Sequence, residues 1–279
     1  MADDPLEPGL YIVATPIGNM GDLSPRAAET LRNVSWILAE DKRVSAKLLA
    51  RIGATAPMSA YHDHSSEDHR QGIVARLQSE AVALISDAGT PLISDPGYKL
   101  VRAARAAGCT VHTVPGPTAL VAALTLSGLP TDRFLFAGFL PAKAKARADS
   151  IAEVAQLRAS LVFYESGPRL GESLAALADG LGTRAAAVAR EITKLHEECV
   201  TGSLAELAAR YADAQPKGEI VIVVGPPLAA EAPTEGDLDA ALSESLATLS
   251  PSRAAAEVSV QLGVPRKRAY ARALELTAK

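Results

Sequence analysis

The chain has 279 residues, a formal charge of −4 and 48% apolar side chains. That is enough for two domains around a substantial core, and its mild acidity excludes nucleic-acid binding by overall charge, leaving only a local basic patch for such a role. Two distant cysteines, Cys109 and Cys199, exclude a disulfide framework and a cysteine zinc site, and no apolar run reaches membrane-spanning length, so a reducing cytoplasm is the expected location.

Residues 1–9 form an acidic, Pro-containing leader, expected to be disordered and unlike a signal peptide. Residues 10–128 read as an N-terminal α/β domain. Leu10–Ala14 is a strand that runs into the Gly/Pro loop Thr15–Asp22. Ser24-Pro25 supplies an N-cap and first-turn proline for the next helix. Trp36–Ala39 is strand-like and ends in the charge cluster Glu40-Asp-Lys-Arg43, followed by a helix over Val44–Ile52. Tyr61–Arg70 is polar and holds His62, His64 and His69; a solvated or substrate-facing loop is expected there, not a metal site. An amphipathic helix follows around Ile73 and Leu77.

The apolar run Val82–Ile85 reads as a buried strand, and behind it lies Asp87-Ala-Gly-Thr-Pro-Leu-Ile-Ser-Asp-Pro-Gly97. Two Asp, two Gly and two Pro in eleven residues are loop chemistry, and the loop is longer than its connection needs. Helix resumes at Tyr98 and stops at Gly108; Thr110–Val114 is a strand closed by Pro115–Ala119, with a small-residue helix to Ser127. Strands alternating with helices predict a parallel sheet, whose carboxyl ends share one edge. Loops 15–22, 87–97 and 115–119 are therefore expected to converge at one ligand site.

Gly128–Asp132 looks like a domain boundary, and residues 129–226 read as a C-terminal α/β domain. Its predicted strands are Phe134–Leu140, Leu161–Tyr164, Ala185–Glu191 and Glu219–Val224, with helices over 170–179 and 204–211. Pro141–Arg147 carries Lys143, Lys145 and Arg147 with no opposing charge. A Pro/Ala/Glu linker covers 227–236, and 237–279 is a helical extension with a helix-turn-helix outline: Ser252–Leu262, Gly263-Val-Pro265, Arg266–Leu276. From Arg253 to Lys279 there are six positive and two negative side chains, the segregated charge that phosphate binding requires, although a capping helical hairpin fits the same pattern.

No G-x-G-x-x-G follows a strand, and no P-loop or nucleophile-elbow motif is present. What remains is a cleft of backbone amides, carbonyls and a few carboxylates. Such a cleft suits a cationic, adenosine-bearing ligand with little phosphate.

The string Asp87-Ala-Gly-Thr-Pro…Ser94-Asp-Pro-Gly97, with Ala14-Thr-Pro-Ile-Gly-Asn19, Val114-Pro-Gly-Pro-Thr-Ala119 and Phe163-Tyr-Glu-Ser166, resembles the tetrapyrrole methylase family, in particular its branch that acts on small-subunit ribosomal RNA. The likeness covers about Leu10 to Gly225, and the helical tail matches too. It implies two α/β domains with the ligand cleft between them, S-adenosylmethionine as methyl donor and no metal. It also implies a ribose 2′-hydroxyl of a decoding-region cytidine in 16S rRNA as acceptor, within the 30S subunit, and a homodimer. Two motifs depart from the family: E-D-T-R is Glu40-Asp-Lys-Arg43 here, and F-Y-E-S-P-H-R is Phe163-Tyr-Glu-Ser-Gly-Pro-Arg169.

By this resemblance Pro16, Ile17, Asp87, Ala88, Gly89, Thr90, Thr118 and Ala119 would contact the donor, with Phe163 and Tyr164 packed on its adenine. A hydroxyl nucleophile calls for a base. Glu40, Asp41, Glu197 and Lys194 are candidates, the Glu40/Asp41 cluster favoured, with Arg43 holding a phosphate. Lys143, Lys145, Arg147, Arg266, Lys267 and Arg268 would contact RNA. Competing readings are a corrin or porphyrin methylase on the same fold, and a non-enzymatic ligand-sensing regulator that binds nucleic acid.

Overall fold

A computed structural model describes residues 6–227 and 233–277. The first five residues of the leader, part of the linker and Lys279 lie outside the described residues. The chain divides into two compact units, residues 1–227 and 228–279.

The larger unit contains two sheets. The first half runs β1 (Gly9–Val13), α1 (Pro25–Asn33), β2 (Trp36–Ala39), α2 (Lys42–Ile52), β3 (Met58–Ala60), α3 (Glu67–Leu77), β4 (Ala81–Ile85), α4 (Tyr98–Ala106), β5 (Val111–Val114) and α5 (Ala119–Ser127). Its five strands lie in the order β3-β2-β4-β1-β5 and all pair in parallel, as alternating strands and helices predict. The central strand β4 is buried along its whole length, which explains its unbroken apolar sequence. Local signals set the helix starts: Ser24 accepts from the Ala27 amide ahead of Pro25, and Ser66 accepts from the His69 amide. Strand β3, two half-buried residues and one exposed at the sheet edge, has no apolar run to announce it.

The second half runs β6 (Phe134–Phe139), α6 (Ala144–Val154), β7 (Ser160–Ser166), α7 (Leu170–Leu181), β8 (Ala185–Arg190), β9 (Glu198–Ser203), α8 (Leu204–Tyr211) and β10 (Glu219–Val224). Its order is β6-β7-β10-β8-β9; β6 and β7 are parallel, and the other pairs are antiparallel. One face, with Leu161, Phe163, Val188 and Ile222, packs against α6, α7 and α8. The opposite face, with Val162, Ala187, Ala189, Val221 and Val223, packs against Leu120, Ala123 and Leu124 of α5. Helix α5 thus follows the first sheet in sequence and covers the second in space. Its apolar, unperiodic sequence fits a helix embedded between layers.

The smaller unit holds α9 (Glu235–Leu246), α10 (Pro251–Leu262) and α11 (Arg266–Thr277) around Leu238, Leu242, Ala255, Val258, Val264, Ala269 and Ala273. Gly263 is left-handed (φ 65°) and ends α10, completing the expected helix-turn-helix. Charge segregation is narrower than the sequence count implies. Over 233–277 the acidic side chains number six against five basic. Arg272 is also tied to Asp239 and Glu275 within the unit. The basic surface is the exposed Arg266-Lys-Arg268 at the start of α11, with Arg268 beside Glu235 at 3.6 Å.

No helix among the described residues is long and apolar enough to cross a membrane.

Candidate active site

Because the first sheet is parallel and ordered β2-β4-β1-β5, the segments after those strands lie side by side at one edge. They are Glu40–Arg43, Ser86–Gly97, Ala14–Asp22 and Pro115–Thr118. The loops are also joined directly. The Thr15 amide donates to the Gly89 carbonyl (2.8 Å) and the Gly89 amide to that of Thr15 (3.0 Å). The Thr90 hydroxyl donates to the Pro117 carbonyl at 3.0 Å. Gly89 is left-handed (φ 79°), and a Cβ there would sit 3.2 Å from Ile17 Cγ2, so the motif needs glycine at this crossing. The expected convergence of the three Gly/Pro loops is met.

Under this edge lies a cavity of about 400 Å³ between the two sheets. Its floor comes from Ile17, Asp87, Ala88, Gly89, Thr90, Thr118 and Ala119, seven of the ten residues expected at the donor. Tyr164 lines it as well. Pro16 borders a second, adjoining cavity instead.

Phe163 is a correction. It is 1% exposed and belongs to the core under α7, because successive residues of a strand face opposite sides. The second aromatic of the cavity is Phe139. A bulge in β6 between Phe136 and Gly138 brings Phe139 opposite Tyr164, with ring centroids 5.7 Å apart and edge to face. Phe139 is 54% exposed, so its ring is open to the cavity side as well as packed on Tyr164.

The cavity wall carries Glu40, Asp87, Asp95, Glu165 and Glu219 and no lysine or arginine. Glu165 is buried and committed to structure: it accepts from Ser173 Oγ (2.5 Å) and the Ser166 amide (2.8 Å) and pairs with Arg169 (3.5 Å). Burial pushes the Glu40 carboxyl above its ordinary value, and the negative charge of Asp87 adds to the effect. Burial, with Glu40 and Asp87 nearby, raises Asp95 to about 6. Asp95 follows Leu92 (φ 74°) and Ser94 (φ 64°), two non-glycine residues in the left-handed region, a backbone state typical of ligand-binding loops.

Asp41 and Lys194 prove poor proton acceptors. Asp41 caps α2 through the Arg43 amide (2.8 Å), and its carboxylate is gripped by the Arg43 guanidinium (2.8 and 3.2 Å). Those bonds lower it to about 2. Arg43 in turn is partly spent on Asp41, although its side chain is 90% exposed. Lys194 pairs with Glu191 (2.8 Å) and Glu219 (3.0 Å). Burial works to lower its pKa, yet the hydrogen bonds to the two glutamates prevail and raise it, opposite to what a lysine base requires. Of the expected bases, Glu40 alone both faces the cavity and has its basicity increased.

Lys143 and Lys145 are exposed at the start of α6. Arg147 is buried, donating to the Ala142 carbonyl (3.3 Å) and pairing with Glu172 (3.3 Å); it serves the lobe rather than an RNA phosphate. Gly167, where the motif departs from the family's proline, lies so close to the Pro216 carbonyl that a Cβ would stand 1.6 Å from its oxygen. Among the described residues no group of three or more His, Cys, Asp or Glu is placed to hold a metal ion.

Sequence reasoning missed Phe139, Asp95 and the β10 residues Glu219, Ile220 and Val221 as lining. Asp95 was readable from the central loop itself. The β10 residues join the cavity only through pairing of β10 with β7, which leaves no local trace.

Residues 9–208 match the family described as Tetrapyrrole (Corrin/Porphyrin) Methylases, and residues 232–277 match the RsmI C-terminal HTH domain. Among curated proteins, Ribosomal RNA small subunit methyltransferase I of Erythrobacter litoralis is 56% identical over 98% of this chain and 97% of its own length. The protein of that name from Mesorhizobium japonicum is 49% identical over 98% and 93%. Solved structures share the fold at low identity: a uroporphyrin-III-C-methyltransferase from Thermus thermophilus (21%, TM-score 0.56, covering 77% of this chain and 93% of that one). A diphthine synthase does likewise (14%, TM-score 0.61, 77% and 89%). With its loop architecture, its helical tail and its near full-length relatives in agreement, the chain belongs to the ribosomal RNA small subunit methyltransferase I family of tetrapyrrole methylases.

Proposed function

We propose that this chain transfers the methyl group of S-adenosylmethionine to the ribose 2′-hydroxyl of a cytidine in the decoding region of 16S rRNA. The expected setting is the 30S subunit in the cytoplasm, with the enzyme a homodimer. The observation that carries the reading is the cavity wall: several carboxylates, no basic side chain and an aromatic edge. That chemistry fits a ligand with sulfonium and ammonium charges and an adenine ring. The names of the relatives support ribosomal RNA as acceptor.

In this reading Asp87 and the Ala88-Gly89-Thr90 backbone hold the amino-acid end and ribose of the donor. Thr118 and Ala119 flank its methionine side, and Tyr164 with Phe139 holds the adenine. When bound, the donor supplies a methyl group already activated by its sulfonium. The protein's main task is then positioning, and fixing near-attack geometry is worth roughly 7–11 kcal/mol. Glu40 accepts the proton of the attacking hydroxyl. Its raised pKa makes it a better base than Asp41, and such a base contributes about 10²–10⁴-fold. The exposed Lys143 and Lys145, and Arg266, Lys267 and Arg268 at the start of α11, contact RNA phosphates.

The test is transfer of labelled methyl to 30S subunits and, separately, to a porphyrinogen. Label recovered as 2′-O-methylcytidine in 16S rRNA is expected. Label on the macrocycle, or donor binding without transfer, contradicts the proposal.

A further inference from the structure

Beside the donor cavity lies a second one of about 270 Å³. The two share Ile17, Asp87, Ala88 and Glu219 as common wall. Their remaining linings differ in chemistry. The donor cavity has no cation, whereas the second carries two, Lys47 from α2 and Lys194 from the segment after β8. Met20, and Val44 and Leu48 on the same face of α2 as Lys47, add apolar side chains to this lining.

The two lysines are presented differently. Lys47 is exposed and forms no ion pair among the described residues. Lys194 is held in place. Its stem crosses Gly18 so closely that a Cβ there would lie 2.4 Å from Lys194 Cγ. Glu191 (φ 50°) and Thr193 (φ 66°) around it are non-glycine residues in the left-handed region. Such conformations persist only where surroundings impose them, and they gather at ligand clamps. Here the clamp is tied across the lobes by the Asn19 amide, which donates to Thr193 Oγ1 at 3.0 Å. Lys194 is already paired with Glu191 and Glu219, which leaves Lys47 as the cation open to a ligand. That cation beside an apolar wall, opening on the donor site, matches a single-stranded nucleotide: a negative phosphate, a flat base and a sugar between them.

We propose that this second cavity is the acceptor subsite and takes one splayed-out nucleotide of RNA. Its base rests on Val44, Leu48 and Met20, its phosphate lies at Lys47, and its ribose faces the shared wall at Asp87, while Lys194, held by Glu191 and Glu219, fixes the wall. The inference rests on the RNA-methylating reading above and adds residues to it. Lys194 is here a positioning residue and Lys47 a phosphate contact.

The test uses the full chain with 30S subunits as acceptor, comparing wild type with Lys47→Ala and Lys47→Glu. Lys47 lies on an exposed helix surface where either substitution keeps good helix propensity, so folding is not at stake. The expected result is a raised KM for subunits, larger for Lys47→Glu, appearing in KM rather than kcat, with the affinity for S-adenosylmethionine by calorimetry unchanged. The slope of log KM against log salt should fall by about one in Lys47→Ala, the signature of one lost phosphate contact. An unchanged KM and salt slope in Lys47→Glu overturns the subsite alone. So does a parallel loss of donor affinity, which would place the lysine in the donor site. If the wild type transfers nothing to subunits, the RNA-methylating reading fails first and the subsite falls with it.

Discussion

Phe163 and Tyr164 are neighbours in β7 that belong to different parts of the molecule: Phe163 is sealed in the core under α7, and Tyr164 walls the cavity between the two sheets beside Phe139. Their substitutions should therefore separate stability from binding. Phe163→Ala should cost about 3–5 kcal/mol of folding stability, as for other buried aromatics. Tyr164→Ala should weaken donor binding about two- to ten-fold, the worth of one aromatic contact. Chemical denaturation and titration calorimetry on both variants check this, and a donor defect in folded Phe163→Ala would contradict it.

Glu40 opens the cluster after β2 and lines the cavity, its pKa raised by burial and by Asp87. Glu40→Gln should lower kcat by about 10²–10⁴-fold while leaving donor affinity nearly intact. The wild-type rate should fall on the acid side as Glu40 takes up a proton, with a midpoint above that of an ordinary carboxylate. That limb should be missing from the residual activity of Glu40→Gln. Single-turnover rates over a pH series measure both effects, and an acid limb that survives the substitution assigns the base elsewhere.

Asp95 gives a prediction about stability. Its carboxyl titrates at about 6 in the folded chain against an ordinary 3.8. Between those values the folded state holds a proton that the unfolded state has released, so stability falls as pH rises through this window. Above about 6 the full cost is present, moderated by the group's partial exposure. Asp95→Asn should accordingly raise the melting temperature at neutral pH, with the gain closing as pH drops toward the ordinary carboxylate range. Scanning calorimetry at several pH values tests this; a melting temperature lowered at neutral pH would contradict it.

The helical tail is a separate compact unit with its own core. Removing residues 228–279 should leave donor affinity unchanged and weaken binding to 30S subunits. Arg266, Lys267 and Arg268 at the start of α11 stand where a helix-turn-helix presents its contacts. Collapse of donor affinity on truncation would make the tail part of the donor site.

Much of the first lobe was legible because its punctuation is local. Gly, Pro and Asp after each apolar run marked the loops, and a parallel sheet obliges such loops to share an edge. The second lobe was less so. Strand β9 is the half-buried edge strand Glu-Cys-Val-Thr-Gly-Ser, which has no apolar run. The packing of α5 on the second sheet depends on tertiary contacts that a uniformly apolar helix does not encode by period. The same limit explains the site. Asp87 to Thr90 came from a motif, whereas Glu219 and Phe139 were brought in by strand pairing and a bulge.

The account stands on one pocket built from both lobes. Titration calorimetry of S-adenosylmethionine against wild type, Asp87→Ala and Tyr164→Ala tests that claim most directly. One donor bound per chain, with affinity reduced by each substitution although one residue follows β4 and the other lies in β7, is the predicted result. Wild-type affinity in either variant would contradict the shared pocket.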